Sequence, residues 1–357
     1  MIDSLRLQNF RSYSDESFEF EPSVNIVVGP NASGKTNLLE AVLVLSRGGS
    51  YRARDAELIR LGKPWSRLDG YFGTLSRAVM LQRGPTGERS AKTFVLANKN
   101  YRRMPLERTV PVVFFEPNHL QALTRDPQHR REYFDDLLER TELGYKRTLS
   151  SYRRALAQRN ALLKQGKSRA APQLFAWDVR LSQLGEKIVT SRVRLVGLIN
   201  ESLSASYSRI AGKKTKASLI YGHQFRPGNY SSRMLAKLES NSRLDFERGF
   251  TTVGPHREDI ELELNGQPIS LVASRGEIRS LLLALKIFEL GLVEKARDEK
   301  PIFLLDDVFS ELDGGRRRAL VKYLKKYQAI ITTTDADAVV NYFSQHHNLI
   351  TLGERIR

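Results

Sequence analysis

Two stretches carry the residue types and spacing that phosphate chemistry needs. The first, "GPNASGKT" at residues 29–36, fits G-x-x-x-x-G-K-T. Gly29 and Gly34 bracket a turn made by Pro30, Asn31, Ala32 and Ser33, and such a turn wraps phosphate oxygens with backbone N–H groups. Lys35 sets a charge against the terminal phosphates, and the Thr36 hydroxyl is a Mg²⁺ ligand. The second, "IFLLDD" at residues 302–307, is an apolar run that ends in two carboxylates. A strand there delivers both acids to the carboxyl end of a sheet, with Asp306 holding Mg²⁺ through its water shell and Asp307 serving as base or orienter for an attacking water. Two acids after an apolar run are otherwise an ordinary strand end. The upstream phosphate loop gives this pair its chemistry.

The elements that must position these residues follow from periodicity. "IDSLRLQNF" alternates apolar and polar residues, and "VNIVVG" reads as a buried strand leading into the loop. A helix follows from Thr36 until Gly48 and Gly49 stop it. Residues 65–100 alternate and carry turn signals at Gly84-Pro85 and at 98–100, which predicts an antiparallel flanking sheet; "VPVVFFEP" predicts another buried strand. From about 126 to 240 the chain turns helical, basic and poor in glycine. Two long amphipathic helices, separated at "GKSRAAP", read as an antiparallel hairpin. After Phe250 strands return at "IELELNG", "PIFLLDD" and "QAIITTTD", with a helix at 316–326. The predicted organisation is an α/β ATPase-type head, with a mixed sheet and flanking antiparallel strands, split by an inserted α-helical arm. Its parts are 1–125, 126–240 and 241–357.

The 357 residues include 57 Lys and Arg against 40 Asp and Glu, a net charge of +17 that attracts polyanions, nucleic acid first and anionic membrane second. Between residues 143 and 170 there are 8 basic residues and no acid. Lys146, Arg147, Arg153, Arg154 and Arg159 are the candidate contacts to a DNA backbone, a solvated helix face being the bland alternative. There is no cysteine, which excludes disulfides, thiolate metal sites and cysteine nucleophiles. The amino terminus carries Asp3 and lacks the apolar core of a signal peptide, and "LLLALKIFELGLV" is broken by Lys286 and Glu289. These features point to a cytoplasmic protein without a membrane span.

A second polar helix start lies at Ser274, Arg275, Gly276 and Glu277. It resembles the signature motif of ABC-type ATPases, usually Leu-Ser-Gly-Gly-Gln, which in that family contacts the γ-phosphate held by a partner subunit. A plain capping box, Ser274 with Glu277, satisfies the same residues. The order of signature, acidic strand and then "SELD", with Ser310 and Asp313 in the place of a D-loop, favours the ATPase reading.

Read together, "LRLQNFRSY", "VNIVVGPNASGKTNLLEAV", "SYRARDAELIRLG", "VVFFEPNHL", "DPQHRREYFDDLL", "TTVGPHREDIELELNG", "ASRGEIRSLLLALKIFEL" and "LLDDVFSELD" resemble, in order and across nearly the whole chain, the blocks of the RecF family of bacterial recombination mediators. The resemblance implies an SMC-like head with a short arm, ATP and Mg²⁺ as cofactors, an ATP-dependent homodimer, and binding to gapped, single-stranded or junction DNA together with RecR, in DNA repair, replication and the damage response. In SMC-like heads a basic residue after the first strand reaches a phosphate. Arg11 stands there, and a surface loop arginine is the equal alternative. His256 and Arg257 in "GPHRED" fit either a bridge within the domain or a nucleotide or DNA contact.

Departures from the wider ABC pattern bear on rate. Asp307 stands where many members have glutamate, Glu116 where a Q-loop glutamine is sought, with Gln121 a weak substitute, and Asp335 near the usual switch histidine. These favour slow hydrolysis, a weak DNA-stimulated ATPase used as a switch. A transporter-type nucleotide-binding subunit fits the basic insertion poorly, and a repair ATPase with long coiled coils needs a longer one.

Overall fold

The computed structural model describes residues 1–84, 90–116, 119–124, 126–165, 167–343 and 347–353. In chain order the strands are β1 (Ser4–Phe10), β2 (Tyr13–Glu19), β3 (Val24–Val28), β4 (Trp65–Phe72), β5 (Leu75–Arg83), β6 (Ser90–Leu96), β7 (Lys99–Tyr101), β8 (Val112–Phe115), β9 (Ala217–Gly222), β10 (Asp259–Leu264), β11 (Gln267–Pro268), β12 (Ile302–Asp306), β13 (Ala329–Thr333) and β14 (His347–Thr351). The helices are α1 (Lys35–Arg47), α2 (Asp55–Leu58), α3 (His119–Thr124), α4 (Pro127–Thr141), α5 (Tyr145–Leu163), α6 (Lys167–Ala211), α7 (Tyr230–Ser240), α8 (Ser242–Arg248), α9 (Ile269–Val272), α10 (Arg275–Arg297), α11 (Gly314–Leu324) and α12 (Asp337–Val340). They form two compact units, one of Met1–His119 with Glu289–Arg357 and one of Leu120–Phe288.

The first unit contains two sheets. Five parallel strands lie in the order β14-β3-β13-β12-β8, and six antiparallel strands in the order β2-β1-β4-β5-β6-β7. The parallel strands β8, β12 and β13 are buried at every residue, which fits their unbroken apolar runs. The antiparallel strand β4 alternates in burial, as a sheet with one covered face requires. Helix α1 contacts strands of both sheets and is buried on nearly all sides, Leu38, Leu39, Val42, Leu43 and Leu45 included. Its residues join one apolar core that runs from Ile2 to Leu352.

Topology brings the two phosphate motifs to one edge. Strand β13 lies between β3 and β12, so the loop that follows β3 and the acids that end β12 emerge at the same carboxyl edge with one strand between them. In that register Thr332 pairs with Val27 on one side and with Asp306 on the other.

The second unit packs α4 and α6 against the sheet β11-β10-β9, with α5 and α7 packed on α6. Helices α5 and α6 form the expected hairpin, and α6 is 45 residues long, about 68 Å at 1.5 Å per residue. Helix α6 begins at Lys167, inside the segment read as a break; the part of that reading that falls on Gly166 lies outside the described residues, as does Pro85 of the expected turn. Two expectations need correction. Residues 217–222 are the strand β9, with a burial period of two, rather than helix. Because β10 pairs only with β9 and β11 among the described strands, the unit runs on to Phe288 instead of ending near 240. Among the described residues no helix is long and apolar enough to cross a membrane.

Candidate nucleotide site and basic arm

The phosphate loop is held open from below by its own lysine. Lys35 is buried, and its Nζ donates to the carbonyls of Gly29 at 2.6 Å and Pro30 at 2.8 Å. Burial lowers its pKa, against the opposing pull of Asp307 and Asp306. The loop leaves no room for side chains at its start. A Cβ on Gly29 would meet Ser33 Oγ at 2.6 Å and the Leu352 carbonyl at 2.8 Å. Ala32 takes a left-handed φ of 66°, and Gly34 caps α1 in the same region.

The acids meet this loop through two threonines. Thr36 Oγ1 donates to Asp306 Oδ1 at 3.0 Å, and Thr332 Oγ1 donates to the same oxygen at 2.7 Å. Thr332 Oγ1 in turn accepts the Asp307 N–H at 3.0 Å. Asp307 is a non-glycine residue at φ 50°, a conformation that persists only where the surroundings impose it. Its Oδ1 is buried with no hydrogen-bond partner. Burial pushes its carboxyl up from the ordinary value, aided by Asp306 and opposed by Ser310 and Lys35. Lys35, Thr36, Arg52, Glu116, Asp306 and Asp307 line one cavity of about 630 Å³, together with Asn31, Ala32 and Gly34 of the loop. One hydroxyl and one carboxylate, 3.0 Å apart, form a donor set suited to a Mg²⁺ ion that keeps most of its waters. A larger cavity, about 790 Å³, opens at the opposite ends of the parallel strands beside Val24 and Ile302 and contains none of the motif residues.

The cavity's side wall holds a residue to which the sequence reading gave no role. Arg52 donates to Asn37 Oδ1 at 2.9 Å and to Glu40 Oε2 at 3.0 Å. Burial alone would raise Glu40, but hydrogen bonds from Arg11, Arg52 and Ser50 overcome it and hold its carboxyl below the ordinary value. Arg11 needs correction here. Its Nε and Nη2 both bond Glu40 at 2.9 Å and its Nη1 bonds the Glu57 carbonyl, so its guanidinium is spent on α1 and α2 and does not line the cavity.

Around the site the remaining candidates fall into place. Glu116 is on the cavity wall where the glutamine was sought, while the Gln121 side chain lies outside the described residues. Asp335 closes a turn with Thr333 and accepts the Asp337 N–H at 3.0 Å. Ser310 Oγ donates to the Asp307 carbonyl at 2.7 Å, and Asp313 caps α11 by accepting the Arg316 N–H at 3.0 Å. That N–H, with the Arg316 guanidinium, holds Asp313 low.

In the second unit, Ser274 and Glu277 form a reciprocal capping box. Glu277 Oε2 accepts from Ser274 N at 2.9 Å and Oγ at 2.8 Å, and Glu277 N donates to Ser274 Oγ at 3.3 Å. Lys213 bonds the other Glu277 oxygen at 2.6 Å and, with Ser274, lowers the carboxyl to about 2. Glu277 thus has a structural task at the helix start. Ser274 is exposed and Gly276 half-buried.

Lys146, Arg147, Arg153 and Arg154 are exposed on α5. Arg159 must be removed from the DNA set because it is fully buried. It bonds Asp178 at 2.5 Å, Asp245 at 2.6 Å and Thr251 at 3.0 Å, on the same stripe as Tyr145, Leu149, Tyr152, Ala155 and Leu162. "GPHRED" bonds within this unit too, although its Arg257 is exposed. Gly254, at φ 127°, touches Tyr152 so closely that a Cβ would sit 2.7 Å from its hydroxyl. Tyr152 donates to His256 Nδ1 at 2.7 Å while Nε2 faces the Thr251 carbonyl at 3.1 Å, which assigns the proton to Nε2. Burial keeps this ring neutral, with a pKa of about 4. Arg257 bonds the same carbonyl and lies 4.7 Å over the Phe250 ring. Glu258 accepts from Tyr221, from Tyr230 and from Gln224 N.

Comparisons with known proteins agree with this geometry. A family profile described as an AAA domain matches residues 4–110. A solved structure of the recombination mediator RecF with ATP superposes with a TM-score of 0.83 at 28% identity, covering 94% of this chain and 92% of that one. An SMC head bound to the C-winged helix domain of ScpA, at 17% identity and a TM-score of 0.57, shares the fold over 100% of this chain and 94% of that one. The DNA replication and repair protein RecF of Desulfitobacterium hafniense is 34% identical over 95% of this chain and 94% of its own length. That of Heliobacterium modesticaldum is 35% identical over 94% of this chain and 93% of its own, and on that extent of likeness the chain belongs to the RecF family.

Proposed function

We propose that this chain is an ATP-binding recombination mediator of DNA repair and replication, which uses ATP as a timer for holding DNA. The observation that carries the reading is the shared cavity, where a phosphate loop, Thr36 and two carboxylates of different character converge. The loop N–H groups and Lys35 bind the phosphates, Arg52 adds positive charge at the wall, and Thr36 with Asp306 holds Mg²⁺. When bound, the ion neutralises charge on the transferring phosphate. Asp307, with its unpartnered oxygen and raised carboxyl, orients the attacking water. Its short reach suits slow hydrolysis. ATP closes a homodimer through Ser274 and Gly276 with the Ser310 and Asp313 loop nearby, and Lys146, Arg147, Arg153 and Arg154 grip gapped, single-stranded or junction DNA. RecR is the protein partner, and the work is done in the cytoplasm. Support for these finer roles comes from the family membership and from the exposure of the named side chains.

The test is sedimentation and DNA titration of the full chain with and without ATP and Mg²⁺, across salt. ATP should shift monomer to dimer and tighten DNA binding, and Asp307→Asn should keep both effects while stopping turnover. Ser274→Arg should bind ATP yet remain monomeric. A Ser274→Arg protein that dimerises normally, or DNA affinity that ignores both nucleotide and salt, would sink the reading.

A further inference from the structure

The second unit encloses a smaller cavity, about 210 Å³, between α4, α5, α6 and the turn at Pro255 and His256. Three arginines reach it, and their circumstances differ. Arg192 is buried and fully engaged, with both Asp135 oxygens at 2.9 Å, the Pro255 carbonyl at 2.8 Å and the Tyr221 hydroxyl at 3.3 Å. Arg131 is half-buried, and its hydrogen bond goes to a neutral acceptor, the Glu258 carbonyl at 2.6 Å. No carboxylate comes within ion-pair distance of it among the described residues. Arg153 is exposed and makes no hydrogen bond among the described residues.

The acids of the wall are already committed. Asp135 is taken by Arg192 and by Tyr145 at 2.6 Å, and Glu132 accepts from Gln128 at 2.9 Å. Three guanidiniums against two carboxylates leave the lining one positive charge in excess, since His256 is neutral. Burial and the nearby charge of Arg192 lower Arg131, the mark of a cation whose desolvation is not offset. A guanidinium in that position lacks an oxyanion with which to make its forked hydrogen bonds.

We infer that this cavity is a phosphate site, in which one phosphate oxyanion is held between Arg131 on α4 and Arg153 on α5. The chemistry is common to a DNA backbone phosphate and to free phosphate. The DNA source rests on the proposed role of the arm, where this cavity would fix one backbone position while Lys146, Arg147 and Arg154 act as diffuse contacts.

The experiment uses the full chain and two probes, inorganic phosphate by calorimetry and a duplex with a single-stranded gap by fluorescence anisotropy. Arg153→Gln and Arg131→Gln are compared with the wild type, with Arg147→Gln as a control outside the cavity. Phosphate should bind the wild type and weaken about tenfold or more in each cavity variant, and the slope of log affinity for DNA against log salt should fall by about one. Arg147→Gln should lower DNA affinity and leave phosphate binding alone. Loss of phosphate binding without any change toward DNA assigns the site to free phosphate. Wild type that binds no phosphate, or cavity variants that bind both probes as the wild type does, overturns the site, and a weakened Arg147→Gln would then leave the DNA role of the arm standing. Arg153→Gln alters an exposed residue, so it carries the test even if Arg131→Gln fails to fold.

Discussion

The two units bury charge in opposite ways. In the helical unit, Arg159 and Arg192 are enclosed and each is paired with carboxylates, and Glu258 accepts from two tyrosines and a backbone N–H, although Arg159 Nη2 has no partner. In the head, Lys35 leans on two backbone carbonyls, and Asp307 keeps a buried oxygen with no partner. Burial of a charge therefore says little about its role, and the groups it meets say more: the buried guanidiniums of the helical unit face carboxylates, whereas Lys35 bonds only neutral carbonyls. Paired charges hold elements together, whereas a cation that meets only neutral acceptors is ready for an anionic ligand.

The largest expected effect tests the ion-paired side. Arg159→Met removes the shared partner of Asp178 and Asp245 and should destabilise the helical unit by about 3–5 kcal/mol, measured by denaturant unfolding. A loss under about 1 kcal/mol would show that these buried pairs do not hold the unit together.

Next comes pH. His256 is neutral in the folded chain at a pKa of about 4, below its ordinary 6.5. Between these values the unfolded chain binds a proton that the folded chain does not, so stability falls as pH drops from 6.5 towards 4. The total is about 3 kcal/mol, and Arg257, Arg131 and Arg192 are the cations that face the ring and favour the neutral form. His256→Gln should flatten this part of the profile of unfolding free energy against pH.

On the open side, Lys35→Ala should leave the melting temperature nearly unchanged, because its partners are neutral backbone carbonyls of its own loop. ATP affinity should fall by about ten- to a hundredfold, corresponding to about 1.5–3 kcal/mol. A large loss of stability instead would make Lys35 a structural cation and erase the contrast. The smallest effect belongs to Glu277→Ala, which removes an exposed cap and should cost about 0.5–1 kcal/mol or less. If it also abolished dimer formation, Glu277 would belong with the open groups.

Local motifs made the head site legible. "GPNASGKT" and "IFLLDD" each carry their geometry within a few residues, and the buried strands beneath them are continuous apolar runs. What escaped depends on contacts distant in sequence. Arg11 looked available until Glu40, on the next helix, engaged it. Arg52 lies in a quoted block, but its place at the cavity depends on Asn37 and Glu40. Arg159 was within reach: counted from Tyr145 in steps of three and four, it falls on the apolar stripe of α5, while Lys146, Arg147, Arg153 and Arg154 do not. A count of basic residues without their helical phase treated all five alike. Strand β9 was hidden because six alternating residues inside a long helical stretch find their partner only in β10.

Thr332 gives the head site a property that neither motif contains. Its hydroxyl has one proton, committed to Asp306, and its lone pairs hold the Asp307 N–H. The carboxylate suited to the metal and the backbone N–H of the residue that bears the second acid are therefore pinned to a single atom of the strand beside them. A shift of the first side chain by a fraction of an ångström is felt in the backbone that carries the second acid, through a residue that need not touch nucleotide at all.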